Sequence, residues 1–183
     1  MKGLKQAHFY YGAILTAIME YNPDASFVLL QPKDHTRKIY HIQTNASQEC
    51  IIFLKHAFEK QLGSQSWSYT FSKDDKKCLA AYYKQKTPIF IYLLCAVDGL
   101  QNSEIAILKY DEFLNVSHKT NFTIGTKKNS RNFNLHLTKS PKDDILIPRN
   151  RIEQTFDYLI TDTIKQSNGY YCPQCGTHIT IGR

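Results

Sequence analysis

The stretch that most limits the fold is Cys50-Ile51-Ile52-Phe53-Leu54, closed by a single charge, Lys55. An unbroken apolar run of this length, rich in β-branched and aromatic residues, reads as a strand covered on both faces. Such a strand sits centrally in a sheet with layers above and below it. Lys55 then needs a reason, because an ammonium buried without a partner is costly. One reading packs the stem and sends the head to water. The other points the amine into a site, toward a phosphate.

The flanking segments supply the rest of an α/β (α+β) domain. Leu4, Ala7, Tyr11, Ile14, Leu15 and Ile18 recur at helical spacing, and Asn22-Pro23 stops that helix. Ala25–Gln31 and Arg37–Thr44 read as strands, the second forming an antiparallel hairpin with the central run. If the intervening turn is symmetric, His41 lies opposite Phe53 and shares a face with Lys55. Gln65–Phe71 is a further extended segment with alternating aromatics. Ser72 is placed to cap a helix over Lys73–Lys86, with Asp74 and Asp75 favouring its dipole. Ile89–Val97 reads as a second buried strand, Glu104–Lys109 as another, and Asp111 caps a short helix to Leu114. Asn121–Ile124 and Asn132–Thr138 flank a turn, and Arg149–Gln166 reads as a last amphipathic helix. The expected organisation is an α/β core over 1–116, a basic hairpin extension over 117–150, and a helix with a cysteine knuckle over 151–183.

With 183 residues the chain can bury a core without disulfides. It has no 18-residue apolar run, so no membrane span is expected. The N-terminal segment is interrupted by His8, three tyrosines and Glu20 and makes a poor export signal. Five cysteines, an odd number, are then expected reduced in a cytoplasm. Cys50, Cys78 and Cys95 fall inside strand or helix patterns and read as core.

The net charge of +7 is uneven. Between His118 and Arg151 stand Lys119, Lys127, Lys128, Arg131, Lys139, Lys142, Arg149 and Arg151, against only Asp143 and Asp144. That surplus of six is the footprint expected of a polyanion partner. Phe122, Phe133 and His136 lie among these cations, and aromatic rings beside phosphate-binding cations suit a nucleic-acid contact. Lys119, Lys127, Lys128, Arg131, Lys139, Arg149 and Arg151 are the candidate contacts.

From Leu4 to Val97 the order helix, three strands, helix, strand resembles the restriction-endonuclease-like, or PD-(D/E)XK, nuclease core. The resemblance implies an acid near the second strand and an acid-x-Lys motif on the third, together holding Mg²⁺. Lys55 matches the lysine. Phe53 stands in the acid slot two residues before it, and the end of strand two offers Thr44 and Asn45. Glu49 and Glu20 are the remaining candidate carboxylates. The implied protein is a nuclease-like subunit of a bacterial or phage defence or DNA-processing assembly, its catalytic set degenerate.

Near the C-terminus, Cys172-Pro173-Gln174-Cys175-Gly176 resembles half of a zinc ribbon. Two thiolates at this spacing can share one Zn²⁺, the glycine letting the backbone turn beneath the sulfurs. His178 is the candidate third ligand. His118, His136 or a cysteine pair from another chain, as in a homodimer, would supply the fourth. No glycine-rich phosphate loop and no Gly-x-Ser-x-Gly elbow occurs.

The sequence thus reads as a nucleic-acid-binding protein with a nuclease-like, catalytically incomplete core and a structural zinc. Three alternatives stand beside it. One is an active Mg²⁺-dependent nuclease using Glu49, Lys55 and Glu20. Another is a metal-free RNA-cleaving pair of His41 and Lys55. The third is a zinc-containing interaction module docking an acidic protein partner.

Overall fold

A computed structural model describes residues 5–30, 37–60, 63–98, 100–127, 129–138, 140–167, 169–171 and 178–180, with side chains through Ile164. Its centre is the Cys50 run, which lies within strand β3, Glu49–Phe58. The run keeps a period of two although every residue in it is apolar. Cys50, Ile52 and Leu54 face one layer, and Ile51 and Phe53 face the other.

Strands β1 (Ser26–Leu30) and β2 (Lys38–Gln43) form an antiparallel meander with β3. Strand β4 (Ser66–Thr70) leaves this sheet, and helix α2 (Lys73–Lys84) then crosses it to β5, Ile89–Ala96. β5 pairs parallel to β3, and β6 (Glu104–Lys109) closes the order β1-β2-β3-β5-β6. The molecule is therefore a mixed central sheet flanked by helices.

Helix α1 (Gln6–Tyr21) covers one face with Tyr10, Tyr11, Ile14 and Ile18. Of the expected stripe, Tyr11, Ile14 and Ile18 are buried, Ala7 and Leu15 pack at its edge, Leu4 lies outside the described residues, and Tyr10 joins it. Beside it lies α4, Phe156–Ser167, through Phe156, Leu159 and Ile160. The opposite face is covered by Leu79 of α2, by the short helix α3 (Tyr110–Leu114), and by a second, antiparallel sheet. That sheet has the order β4-β7-β8-β9, with β7 Asn121–Thr126, β8 Asn132–Leu135 and β9 Ile145–Pro148.

The region expected as a hairpin extension is thus one layer of the domain. Phe122, Ile124, Phe133, Leu135 and Ile147 are buried in the same core as Phe53 and Ile91. Phe122 and Phe133 anchor this core and are unavailable for stacking on bases. The last helix also differs from expectation. Arg149–Glu153 forms a 3-10 turn, and α4 begins only at Phe156, whose N–H donates to Asn22 Oδ1 at 2.7 Å. Tyr171 pairs across from His178 in a hairpin of β10 (Gly169–Tyr171) and β11 (His178–Thr180). Among the described residues, no helix is long and apolar enough to cross a membrane.

Candidate functional site

The last β2–β3 pair is Lys38 with Leu54, so Arg37 comes up beside Lys55 where the two strands part. Both are buried, and both turn to the carboxylate of Asp75 in the first turn of α2. Lys55 Nζ lies 2.8 Å from Asp75 Oδ2 and donates to the Thr70 carbonyl at 2.7 Å. Its charge also sits 4.9 Å from the centre of the Phe71 ring. Arg37 Nη1 pairs with Asp75 Oδ1.

Asp75 further accepts from the Ser72 N–H at 2.9 Å, and its own N–H donates to Ser72 Oγ at 3.0 Å. Ser72 is the expected N-cap; Asp75, expected only to favour the helix dipole, also holds the two cations. Burial pushes the Asp75 carboxyl up. The hydrogen bond from Lys55, the Ser72 N–H, the Lys55 charge and the Arg37 hydrogen bond outweigh it, so it stays below the usual aspartate range. The Lys55 head is therefore engaged by Asp75 and the Thr70 carbonyl, with little of it left to water.

The three nuclease candidates do not converge. Glu49 and Lys55 lie at opposite ends of the β3 segment they bound, six residues apart, about 20 Å along the strand. Glu49 is exposed and sits 3.3 Å from His41. Glu20 is exposed on the last turn of α1, which packs on the other face of the sheet from Asp75. It lines a groove of about 810 Å³ with Glu104, Asn132, Arg131 and Arg149. Phe53, in the acid slot, is fully buried and stacked on Phe71 at 5.6 Å.

The His41–Lys55 pair is also separated. His41 lies opposite Ile51, two residues from the assumed register, because the loop closes with the Thr44 N–H on the Gln48 carbonyl at 2.9 Å. A two-residue shift keeps the face but takes His41 away from Lys55. His56, next to Lys55, packs among Tyr10, Tyr11 and Phe58, and its Nδ1 has no hydrogen-bond partner. Burial first, and then the Lys55 charge, push its pKa down.

The candidate nucleic-acid contacts divide in two. Arg151 is buried, donating to Glu112 at 2.7 and 3.0 Å and to the Ile107 carbonyl at 2.7 Å. Arg149 is held by Glu104 at 2.6 Å and the Ser130 carbonyl at 2.8 Å, over the Phe133 ring. Lys119 Nζ donates to the Leu137 carbonyl. These three tie the second sheet and its flanks together. Lys127 and Arg131 are exposed. Lys128 and Lys139 lie outside the described residues, as do Cys172 and Cys175, and the His178 side chain is likewise not described. His136, a candidate fourth zinc ligand, instead sits 2.9 Å from the buried Asp144 carboxylate, while His118 is exposed.

No family model matches the sequence, and no curated protein matches it. Among solved structures, the central domain of yeast acetyl-CoA carboxylase is similar over 70% of this chain, at 5% identity and a TM-score of 0.23. The chain spans 25% of that structure's length. A TM-score of this size is below the level at which two chains share a fold.

Proposed function

We propose that this chain binds nucleic acid on a nuclease-like core whose catalytic station is filled by a structural ion network. The observation that carries the reading is the engagement of Lys55. The residue that would act on a phosphate is held by Asp75 and Thr70, while exposed cations remain elsewhere on a chain of net charge +7. The order of the sheet supports the nuclease-like core. An antiparallel meander β1–β2–β3 is joined through α2 to a strand parallel to β3. A zinc on Cys172 and Cys175, with His178, belongs to the same reading as a structural element of the C-terminal segment.

The test is a mobility-shift titration with single- and double-stranded DNA and RNA at several salt concentrations, with and without Mg²⁺ or Mn²⁺. Binding without cleavage is expected, with log affinity falling linearly in log salt by about 0.7 to 0.9 per phosphate engaged. Metal-dependent cleavage abolished in a folded Lys55→Met variant would overturn the incomplete-core part of the reading. No binding to any of the four probes would overturn the nucleic-acid part.

A further inference from the structure

The densest set of free cations in the described structure lies on helix α2. Asp75, Leu79 and, partly, Cys78 and Tyr82 turn inward to the second-sheet side of the core. At 100° per residue the opposite pole carries Lys73, Lys77, Ala80 and Lys84 within about 60° of arc. Lys73, Lys77 and Lys84 are exposed, and among the described residues none of their ammonium groups has a hydrogen-bond or ion-pair partner. Lys86 follows, exposed as well. The one acid inside the helix besides Asp74 is Asp75, and it is engaged inward by Arg37 and Lys55. Asp74 lies on the flank of the stripe beside Ala81.

The spacing suits a polymer more than a single ion. Lys73 to Lys84 spans about 17 Å along the axis, and the stretch between Lys77 and Lys84 carries the small residues Ala80 and Ala81. A backbone can therefore lie along the helix without meeting a large side chain. On the other flank Tyr83 is 50% exposed. Its ring is fixed against Tyr110, with centroids 4.6 Å apart and planes at 34°, so one face is presented to solvent beside Lys84. A row of cations that follows phosphates, with an aromatic ring that takes a base, is the chemistry of a single-strand contact.

We propose that α2 is the single-stranded nucleic-acid-binding face of this protein, its phosphates running over Lys73, Lys77 and Lys84 with one base stacked on Tyr83. This rests on the nucleic-acid reading above and names the surface and the strand that it uses.

The test compares the full chain with K73Q/K77Q/K84Q, Tyr83→Ala, Tyr83→Phe and K127Q/R131Q, on a fluorescein-labelled twenty-residue oligothymidylate across a salt series. The α2 triple variant is expected to lose at least tenfold in affinity and to lower the log–log salt slope by about 2, three phosphates at about 0.7 each. Tyr83→Ala is expected to lose about tenfold with the slope unchanged, and Tyr83→Phe to keep wild-type affinity. Because the lysines are on the surface, matching circular dichroism melts separate lost contact from lost fold. In a second measurement, bound oligonucleotide should protect Lys73, Lys77 and Lys84 from acetylation while the exposed Lys142 remains reactive. Wild-type affinity and slope in the triple variant, beside weakened binding in K127Q/R131Q, would overturn the α2 assignment and leave the nucleic-acid reading standing. A wild-type protein that binds no oligonucleotide would overturn both.

Discussion

Helix α2 and the basic window from Lys119 to Arg151 carry charge of the same sign in opposite ways. By composition the window is the stronger candidate for a polyanion surface, with a surplus of six cations between His118 and Arg151. In the folded chain Lys119, Arg149 and Arg151 are held by carbonyls and carboxylates that join the second sheet to its surroundings. Helix α2 is more balanced in sequence, Lys73, Lys76 and Lys77 standing beside Asp74 and Asp75. There the fold turns an acid inward and leaves Lys73, Lys77 and Lys84 exposed. A charge count along a sequence measures how many cations exist. The fold decides how many are available to a partner.

The largest effect that bears on this contrast is expected at Asp75. Asp75→Asn removes the carboxylate between two buried cations and should destabilise the fold by roughly 3–5 kcal/mol in urea unfolding. The folded carboxyl titrates below its unfolded value, so its contribution is fully present above the ordinary aspartate range. It is lost as pH falls through the lower folded value. An unfolding free energy for Asp75→Asn within 1 kcal/mol of wild type would mean that the carboxylate does not organise α2.

Next in size is Arg151→Ala, expected to cost about 2 kcal/mol, because the Ile107 carbonyl loses the guanidinium and Glu112 keeps only the Lys109 N–H. Oligonucleotide affinity measured below the melting range should not change. A loss of affinity without a loss of stability would return Arg151 to the contact surface.

Lys55→Met should cost less than either, about 1 kcal/mol, because Arg37 still neutralises Asp75 and the apolar methionine side chain keeps contact with Phe71. By comparison, the α2 lysine variant should move stability by less than about 0.5 kcal/mol. Urea midpoints of the four proteins, taken together, rank engaged against available charge directly.

Much of the fold is legible in residue pattern. The Cys50 run and Ile89–Ala96 are apolar throughout because both faces of the central sheet are covered, and the pattern says so. Ser72 announces α2 because a capping side chain is a local signal. What was hidden is what depends on distant partners. Strand β9, Ile145–Pro148, is short, with Leu146 exposed, and exists because β8 offers it an edge. The helix expected from Arg149 starts late because Arg151 is drawn to Glu112 and Phe156 to Asn22.

The candidate site follows the same division. Lys55 was legible as an anomaly, a charge ending an apolar run. Its partner was not, since Asp75 is twenty positions away and reads locally as a helix-dipole acid. Arg37 falls beside Lys55 only through the two-residue register of the β2–β3 loop. The exposed face of α2 could be drawn from helical spacing alone, but which of its acids would turn inward required the tertiary structure.

Asn22 has a further consequence for how the chain comes into being. Its side chain donates to the Ile18 carbonyl at the end of α1 and accepts from the Phe156 N–H at the start of α4. One amide thus closes the first helix of the chain and opens the last long one. During synthesis the N-terminal portion emerges with its acceptor unfilled, and α1 covers only part of its side of the central sheet. Phe156, Leu159 and Ile160 must leave the ribosome before Ile42, Cys50 and Ile52 are sealed from water. Until they do, Ile42, Cys50 and Ile52 lie beneath an unfinished apolar layer. Final consolidation of that layer waits for α4, whose Phe156 bonds to Asn22 across a separation of 134 residues, the kind of long-range closure that slows folding.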